Sequence, residues 1–320
     1  MDFAFYRMVS AQHGVFTTAQ ALSHFGDGEL RALVRSGRWR RSRWRGVLID
    51  GELPDSPALQ VRAAALAVGA DLVACHSTAA ALWGFDVLGT ETLHFLGPPG
   101  LVNRRLPGIQ VHPSSLGCDD AVQVEGTWCT PPARTACDVV RHTAPIDGLA
   151  TLDAALRSRT CTQTQLAAAG EAMRGLREVV RVRELVPHAV DGAESPMESR
   201  MRWRFIDGGL PAPAVQVQLT DSGRTHFLDT GWPDQQVGAE FDGLEAHMTR
   251  DQLADDRDRH DWITEHRWTL LHFTAVDVYR RPAAMVGRAA RALGFPPRDV
   301  IMKFGKQRAG ASRRGVSRTS

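Results

Sequence analysis

Three acidic side chains carry the sharpest chemistry in this 320-residue chain. Glu198 lies in SPMESRMRWRFIDGG, Asp229 ends the segment THFLD, and Glu240 sits near the end of VGAEFDG. Carboxylates are hard oxygen donors. At the ends of adjacent strands they can meet at one sheet edge, hold Mg²⁺ and leave positions open for water and a phosphate. Their apolar neighbours Phe227, Leu228, Val237 and Phe241 would stay in the core. Acids at strand ends also serve as solubilising caps, so the pattern alone leaves both readings open.

A second chemistry is written in arginine. Arg31, Arg35, Arg38, Arg40, Arg41, Arg43 and Arg45 fall within fifteen residues that contain no acid. A short helix followed by such a ribbon would follow two phosphate rows of a duplex, and arginine can also take guanine edges bidentately. A solvated hairpin in an arginine-rich chain is the competing reading. Of the 38 basic residues, only Lys303 and Lys306 are lysine, so no lysine before position 303 is available as a catalytic group. The net charge of +2 does not by itself force a nucleic-acid partner.

The remaining candidates have plainer explanations. His76, Ser77 and Asp86 read as a strand end and a helix cap, and Arg134 and Asp138 as an i,i+4 ion pair. Five cysteines at irregular spacings, with no CxxC pair, fit reduced core thiols and argue against structural zinc or a disulfide framework. No apolar run approaches the roughly 20 residues that span a bilayer, and MDFAFYRMVS is not a signal peptide. A cytoplasmic protein without a membrane partner is expected.

The elements that must position these groups suggest an α/β multidomain chain. Residues 1–52 read as helix, helix-turn-helix and a basic strand pair over 39–50, the order of a winged helix-turn-helix. A polar linker at 52–56 leads to a mixed α/β domain over 57–188. Its helices are expected at 57–69, 77–82, 133–142, 146–157 and 164–173, and its strands at 91–95, 110–112 and 121–124. A third domain over 193–300 opens with a helix in which Ser195 caps, Pro196 takes the first position and Glu198 completes a capping box. Strands follow at 214–219, 224–230 and 236–241, then a polar helix at 250–266, a buried strand at 268–273 and a closing helical stretch at 275–293. Residues 303–320 hold six basic and no acidic side chains and read as a disordered tail.

Two resemblances sharpen these readings. The front region, with HSTAAALWGF (76–85) and TPPARTACDVV (130–140), resembles AbiEi-family antitoxins, which implies a DNA-reading front half. The blocks ESPMESRMR, HFLDTGWPDQQVGAEFDG, His247 and ADDRDRHDWITEHRWTLLHFTAVDV resemble the endonuclease-like domain related to very-short-patch-repair (Vsr) nucleases, of the PD-(D/E)xK restriction-endonuclease-like fold. That resemblance implies Glu198 as the first-helix acid and Asp229 with Glu240 as the metal-binding pair. The segment around Asp256, Arg257 and Arg259 would flank the site. Where that fold usually carries lysine this chain has Asp242, which would more naturally bind metal, and His247 or His260 would serve as general base or orient a water.

Two main functions follow, and a third beside them. The first is a DNA endonuclease using Mg²⁺, with Mn²⁺ as a substitute, and Glu198, Asp229, Glu240 and His247 as its catalytic group. A second is a non-catalytic DNA-binding regulator, of repressor or antitoxin type, with a degenerate nuclease fold. The third is an antitoxin acting through contact with a cognate toxin protein. Oligomeric state is left open.

Overall fold

The computed structural model describes residues 3–70, 72–102, 107–113, 120–243 and 250–296, with the side chains of 250–257 outside that description. The expected tail at 303–320 lies outside the described residues. Two compact units emerge: Met1–His142 with Ser158–Val179, and Thr143–Arg157 with Val180–Ser320. Among the described residues, no helix is long and apolar enough to cross a membrane.

The first unit begins with α1 (Phe3–Ala11), β1 (Val15–Thr17), α2 (Thr18–Leu22), α3 (Asp27–Arg35), β2 (Trp39–Arg41) and β3 (Val47–Asp50). Thr17 accepts from the Gln20 N–H at 3.0 Å and Gln20 accepts from the Thr17 N–H at 2.7 Å, a reciprocal cap that fixes where α2 starts. The strands pair antiparallel in the order β1-β3-β2. Because strand side chains alternate between faces, Phe16 and Leu48 enter a core with Phe5, Val9, Leu30 and Trp39. Their neighbours Val15, Val47 and Ile49 enter a second core with Leu59, Ala64 and Phe95. The small sheet is thus buried on both faces, and within this unit it joins the front elements to those that follow.

Ser56 then caps α4 (Pro57–Val68), with Pro57 where a missing N–H costs nothing, and Gly69 ends it at φ 69°, a conformation that suits glycine. Next come β4 (Val73–Ala74), α5 (His76–Leu82), β5 (Leu93–Gly97), α6 (Pro99–Val102), β6 (Ile109–Pro113), β7 (Val122–Val124), β8 (Thr127–Cys129) and α7 (Pro132–His142). They build a five-stranded sheet ordered β6-β5-β4-β8-β7. Strands β4 and β8, which the sequence reading does not anticipate, are two and three residues long, too short for alternation to register. Helix α8 (Pro145–Arg157) belongs to the second unit, and α9 (Gln163–Ala172) returns to the first.

The second unit continues with α10 (Val179–Leu185), α11 (Pro196–Asp207), β9 (Ala214–Asp221), β10 (Arg224–Trp232), β11 (Val237–Phe241), α12 (Arg250–Glu265), β12 (Thr269–Phe273), α13 (Ala275–Arg280) and α14 (Pro282–Ala292). Its sheet is ordered β12-β11-β10-β9: two antiparallel hairpin pairings, then a parallel β11–β12 pair joined through α12. One core gathers Met201, Phe205, Phe273, Met285 and Val286, and another gathers Val217, Leu219, Leu228, Trp262 and Ile263. Arg202 of α11 donates to both oxygens of Asp153 on α8, at 3.1 and 2.8 Å, with both side chains buried.

Candidate functional site

Strand register brings two of the three acids together. Thr230 pairs with Ala239, so Asp229 and Glu240 are the residues next to the last paired rung between β10 and β11. The Phe241 N–H donates to Asp229 Oδ2 at 2.8 Å, fixing the carboxylate against β11. Burial, and the nearby carboxylates of Glu198 and Glu240, push Asp229 up to about 6, against the opposing pull of the Phe241 N–H and Arg259. All three acids therefore act within one electrostatic neighbourhood.

Asp229 differs from the sequence reading in one respect. It does not end its strand but lies three residues inside β10, because Trp232 continues the ladder to Val237 and plugs into the core beside Phe205. Glu240 is the penultimate residue of β11 and is buried. Arg259 reaches it from α12, donating from Nη1 to Oε2 at 2.9 Å and from Nη2 to Oε1, and also to the Phe227 carbonyl at 2.8 Å. This arginine thus reaches a buried acid nineteen residues earlier in the chain.

Glu198 also has a structural duty. Ser195 accepts from the Glu198 N–H at 3.1 Å, as expected of the cap, but the Glu198 carboxylate takes the Glu194 N–H at 2.9 Å rather than closing the box on Ser195. Asp242 is exposed and pairs with His272 Nδ1 at 3.0 Å. His272, which sequence reasoning missed, stands beside Glu240 in the parallel β11–β12 register, and His260 lies 6.0 Å from it between ring centroids. His247 lies outside the described residues, as do the side chains of Asp256 and Arg257.

The arginine ribbon is largely spoken for. Arg31 pairs with Asp27 at 3.4 Å, Arg38 with Glu52, and Arg40 with Asp55 at 2.7 Å and the Leu53 carbonyl at 3.1 Å. Arg43 donates to the Glu91 carbonyl at 2.9 Å and lies 5.1 Å from the Trp44 ring. Arg35, Arg41 and Arg45 are exposed, and among the described residues they make no ion pair.

In the first unit, four histidines and a cysteine gather at a place no short motif announces. Cys75 and His76 open α5, His94 is on β5, His112 on β6 and His142 ends α7. His76 Nδ1 lies 3.0 Å from Cys75 Sγ, and its Nε2 lies 3.2 Å from His142 Nδ1. His94 Nδ1 lies 2.9 Å from His112 Nε2, and His76 stacks on His112 at 4.4 Å. Burial and the neighbouring imidazoles push His76 down to about 2 and His112 to about 4. Close by, Ser77 does not cap α5 as the sequence suggests but lies inside it, its hydroxyl 2.8 Å from that of Thr90, and Asp86 accepts from the N–H groups of Leu88 and Gly89. Asp138 pairs with Arg134 at 2.7 Å, as its spacing predicts, and with Arg141 at 2.9 Å. The described cysteines are buried free thiols, as expected of core residues, while Cys118 lies outside the described residues.

Residues 72–188 match the family model of the AbiEi antitoxin C-terminal domain. Two proteins of Mycobacterium tuberculosis, MT2308 of strain CDC 1551 / Oshkosh and Rv2248 of strain ATCC 25618 / H37Rv, both bear the description uncharacterized protein. Each is 39% identical to this chain over 253 residues, covering 78% of this chain and 91% of its own length. The chain belongs to the same family as these two mycobacterial proteins, and within it residues 72–188 match the AbiEi antitoxin C-terminal domain.

Proposed function

We propose that the second unit hydrolyses phosphodiesters of DNA at the acidic group of Glu198, Asp229 and Glu240, with Mg²⁺ as cofactor and Mn²⁺ as its substitute. The observation that carries this reading is Asp229. Its carboxyl lies within the field of both Glu198 and Glu240 and rises to about 6. Such a concentration of negative charge is costly unless a cation or protons answer it. The donors are all carboxylate oxygens, a set that suits a hard divalent ion over a soft one. A mixed sheet entered from α11 and closed through α12 agrees with the Vsr-like fold that the sequence blocks imply.

Asp229 and Glu240 would hold the ion, with Glu198 beside them and Asp242 at the rim. A bound divalent cation supplies Lewis acidity toward a phosphoryl oxygen and lowers the pKa of water. The chain's own groups do the rest. Arg259 guards Glu240 while the acids stand alone, and once released it faces the charge that develops on phosphate. Asp242, accepting from His272 Nδ1–H, leaves Nε2 as the basic nitrogen, so His272 can take a proton beside Glu240. Residues 1–52, whose helices and antiparallel strands follow the order of a winged helix-turn-helix, would grip the duplex through Arg35, Arg41 and Arg45. Incubation of supercoiled plasmid with the full-length protein tests this: nicking in Mg²⁺ that stops in EDTA is expected, and intact plasmid in both Mg²⁺ and Mn²⁺ refutes it.

A second reading has its own support. The AbiEi antitoxin match over 72–188, together with an arginine ribbon partly neutralised by its own acids, favours a regulator that meets a toxin protein or its own promoter. Rescue of growth from a toxin encoded next to it, undiminished in Asp229→Asn, would favour that role.

A further inference from the structure

We propose that Cys75, His76 and His112 form a zinc site in the first unit, separate from the acidic group of the second. Among the described residues these three offer one ligand atom each, all within 4.8 Å of one another. Thiolate sulfur and imidazole nitrogen are the donors that zinc prefers, whereas Mg²⁺ prefers oxygen. Zinc bonds of about 2.0–2.3 Å set tetrahedral ligands about 3.3–3.8 Å apart. A contraction of about 1 Å, within reach of side-chain rotation, therefore closes the set.

The surroundings support the assignment independently of that distance. His94 and His142 each bring a ring nitrogen to a ligand imidazole, at 2.9 and 3.2 Å, and His142 Nδ1 also bonds the Asp138 carbonyl at 2.8 Å. In every such nitrogen-to-nitrogen contact one partner must present a lone pair. The cluster is thus a concentration of neutral imidazoles with no carboxylate of its own, since Asp138 is engaged by Arg134 and Arg141. A cation would take the other ring nitrogen of His76 and of His112, leaving the contacts with His142 and His94 to orient the ligand rings, as outer partners do in metal sites. His76 also holds φ at 51°, a left-handed conformation that costs a non-glycine residue free energy and that turns the residue at the start of α5. On binding, the Cys75 thiol loses its proton to solvent and its sulfur bonds the metal; no oxidation state changes.

The test uses the full-length protein, stripped with chelator and titrated with Co²⁺ as a spectroscopic probe. One equivalent should give tetrahedral d–d absorption with a thiolate-to-cobalt charge-transfer band, and Zn²⁺ should remove both. Cys75→Ser should keep a weakened d–d spectrum and lose the charge-transfer band. His112→Gln should weaken binding more than the about 10–100-fold that loss of an outer partner costs. Cys161→Ser, which alters a buried thiol outside the cluster, and Asp229→Asn should leave the band unchanged. If Cys75→Ser does not fold, His112→Gln carries the test, read beside its own melting curve. No charge-transfer band in the wild type, or an unchanged one in folded His112→Gln, overturns the proposal.

Discussion

Replacing Arg259 by methionine probes the acidic group from its guanidinium neighbour. The change removes the guanidinium from Glu240, which stays buried within the field of Asp229, and leaves the Phe227 carbonyl without that donor. Hydrogen bonds to a charged group contribute about 1.5–3 kcal/mol, so at pH 8 the loss should be about 2–3 kcal/mol. For a unit of this size that lowers Tm by about 5–10 °C.

The pH dependence gives the prediction its specificity. Asp229 already sits near 6 against an ordinary value of 3.8, a difference of about 3 kcal/mol at roughly 1.4 per tenfold, reduced to about 2 for the part of the group that solvent reaches. A raised carboxyl binds more protons folded than unfolded. The wild type therefore loses this stability as pH rises from about 4 to about 6 and loses no more above it. Without Arg259 the carboxyl rises further, so the loss extends to higher pH. The deficit of Arg259→Met relative to wild type should be smaller at pH 5 than at pH 8, and millimolar Mg²⁺ at pH 8 should restore part of it by mass action. Thermal melts of both proteins at the two pH values, with and without Mg²⁺, measure this. Equal deficits at pH 5 and pH 8, with no response to Mg²⁺, would refute the reasoning.

Other outcomes follow from the same contacts. Asp153→Ala strands the buried Arg202 guanidinium and should cost about 3–5 kcal/mol, read as a lower Tm, whereas Asp153→Leu with Arg202→Met should recover much of it. Phe5→Ala removes a buried ring that meets Phe16 at 5.1 Å and Phe25 at 4.9 Å edge-on, and should cost about 3–5 kcal/mol in denaturant unfolding. Replacing Arg41 and Arg45 together by alanine should weaken DNA retention and lower its salt slope by about 2. The same change at Arg38 and Arg40, which already face Glu52 and Asp55, should alter that slope less, as electrophoretic shifts across a salt series would report.

Local chemistry made much of the chain legible. Pro57 after Ser56, Gly69 at the helix end, and the alternation of Val47, Leu48 and Ile49 each announce their own element, because caps and strand faces are decided within a few residues. Asp229 and Glu240 could be brought near each other in advance because they lie toward the ends of two adjacent apolar strands. The rest depends on distant partners. Arg259 lies on a helix so polar that nothing in its spacing singles out Glu240, and His272 reaches Glu240 only through a parallel crossover. His76, His94, His112 and His142 are separated by 18, 18 and 30 residues and meet only because β5, β6 and the end of α7 converge on the start of α5. A CxxC spacing detects ligands on one loop, whereas Cys75 and His76 at the start of α5 meet His112 from β6. Glu198 was placed on the right helix turn, yet its carboxylate caps Glu194, a choice between two adjacent N–H groups that sequence spacing does not resolve.

The most direct test compares wild type and Asp229→Asn for single-hit nicking of supercoiled plasmid in Mg²⁺, with circular dichroism to establish that both are folded. The account predicts cleavage by the wild type that falls by at least about a hundredfold in Asp229→Asn, in keeping with the loss of a group that acts in the transition state. Equal cleavage by both folded proteins, or none by the wild type in either Mg²⁺ or Mn²⁺, would contradict it.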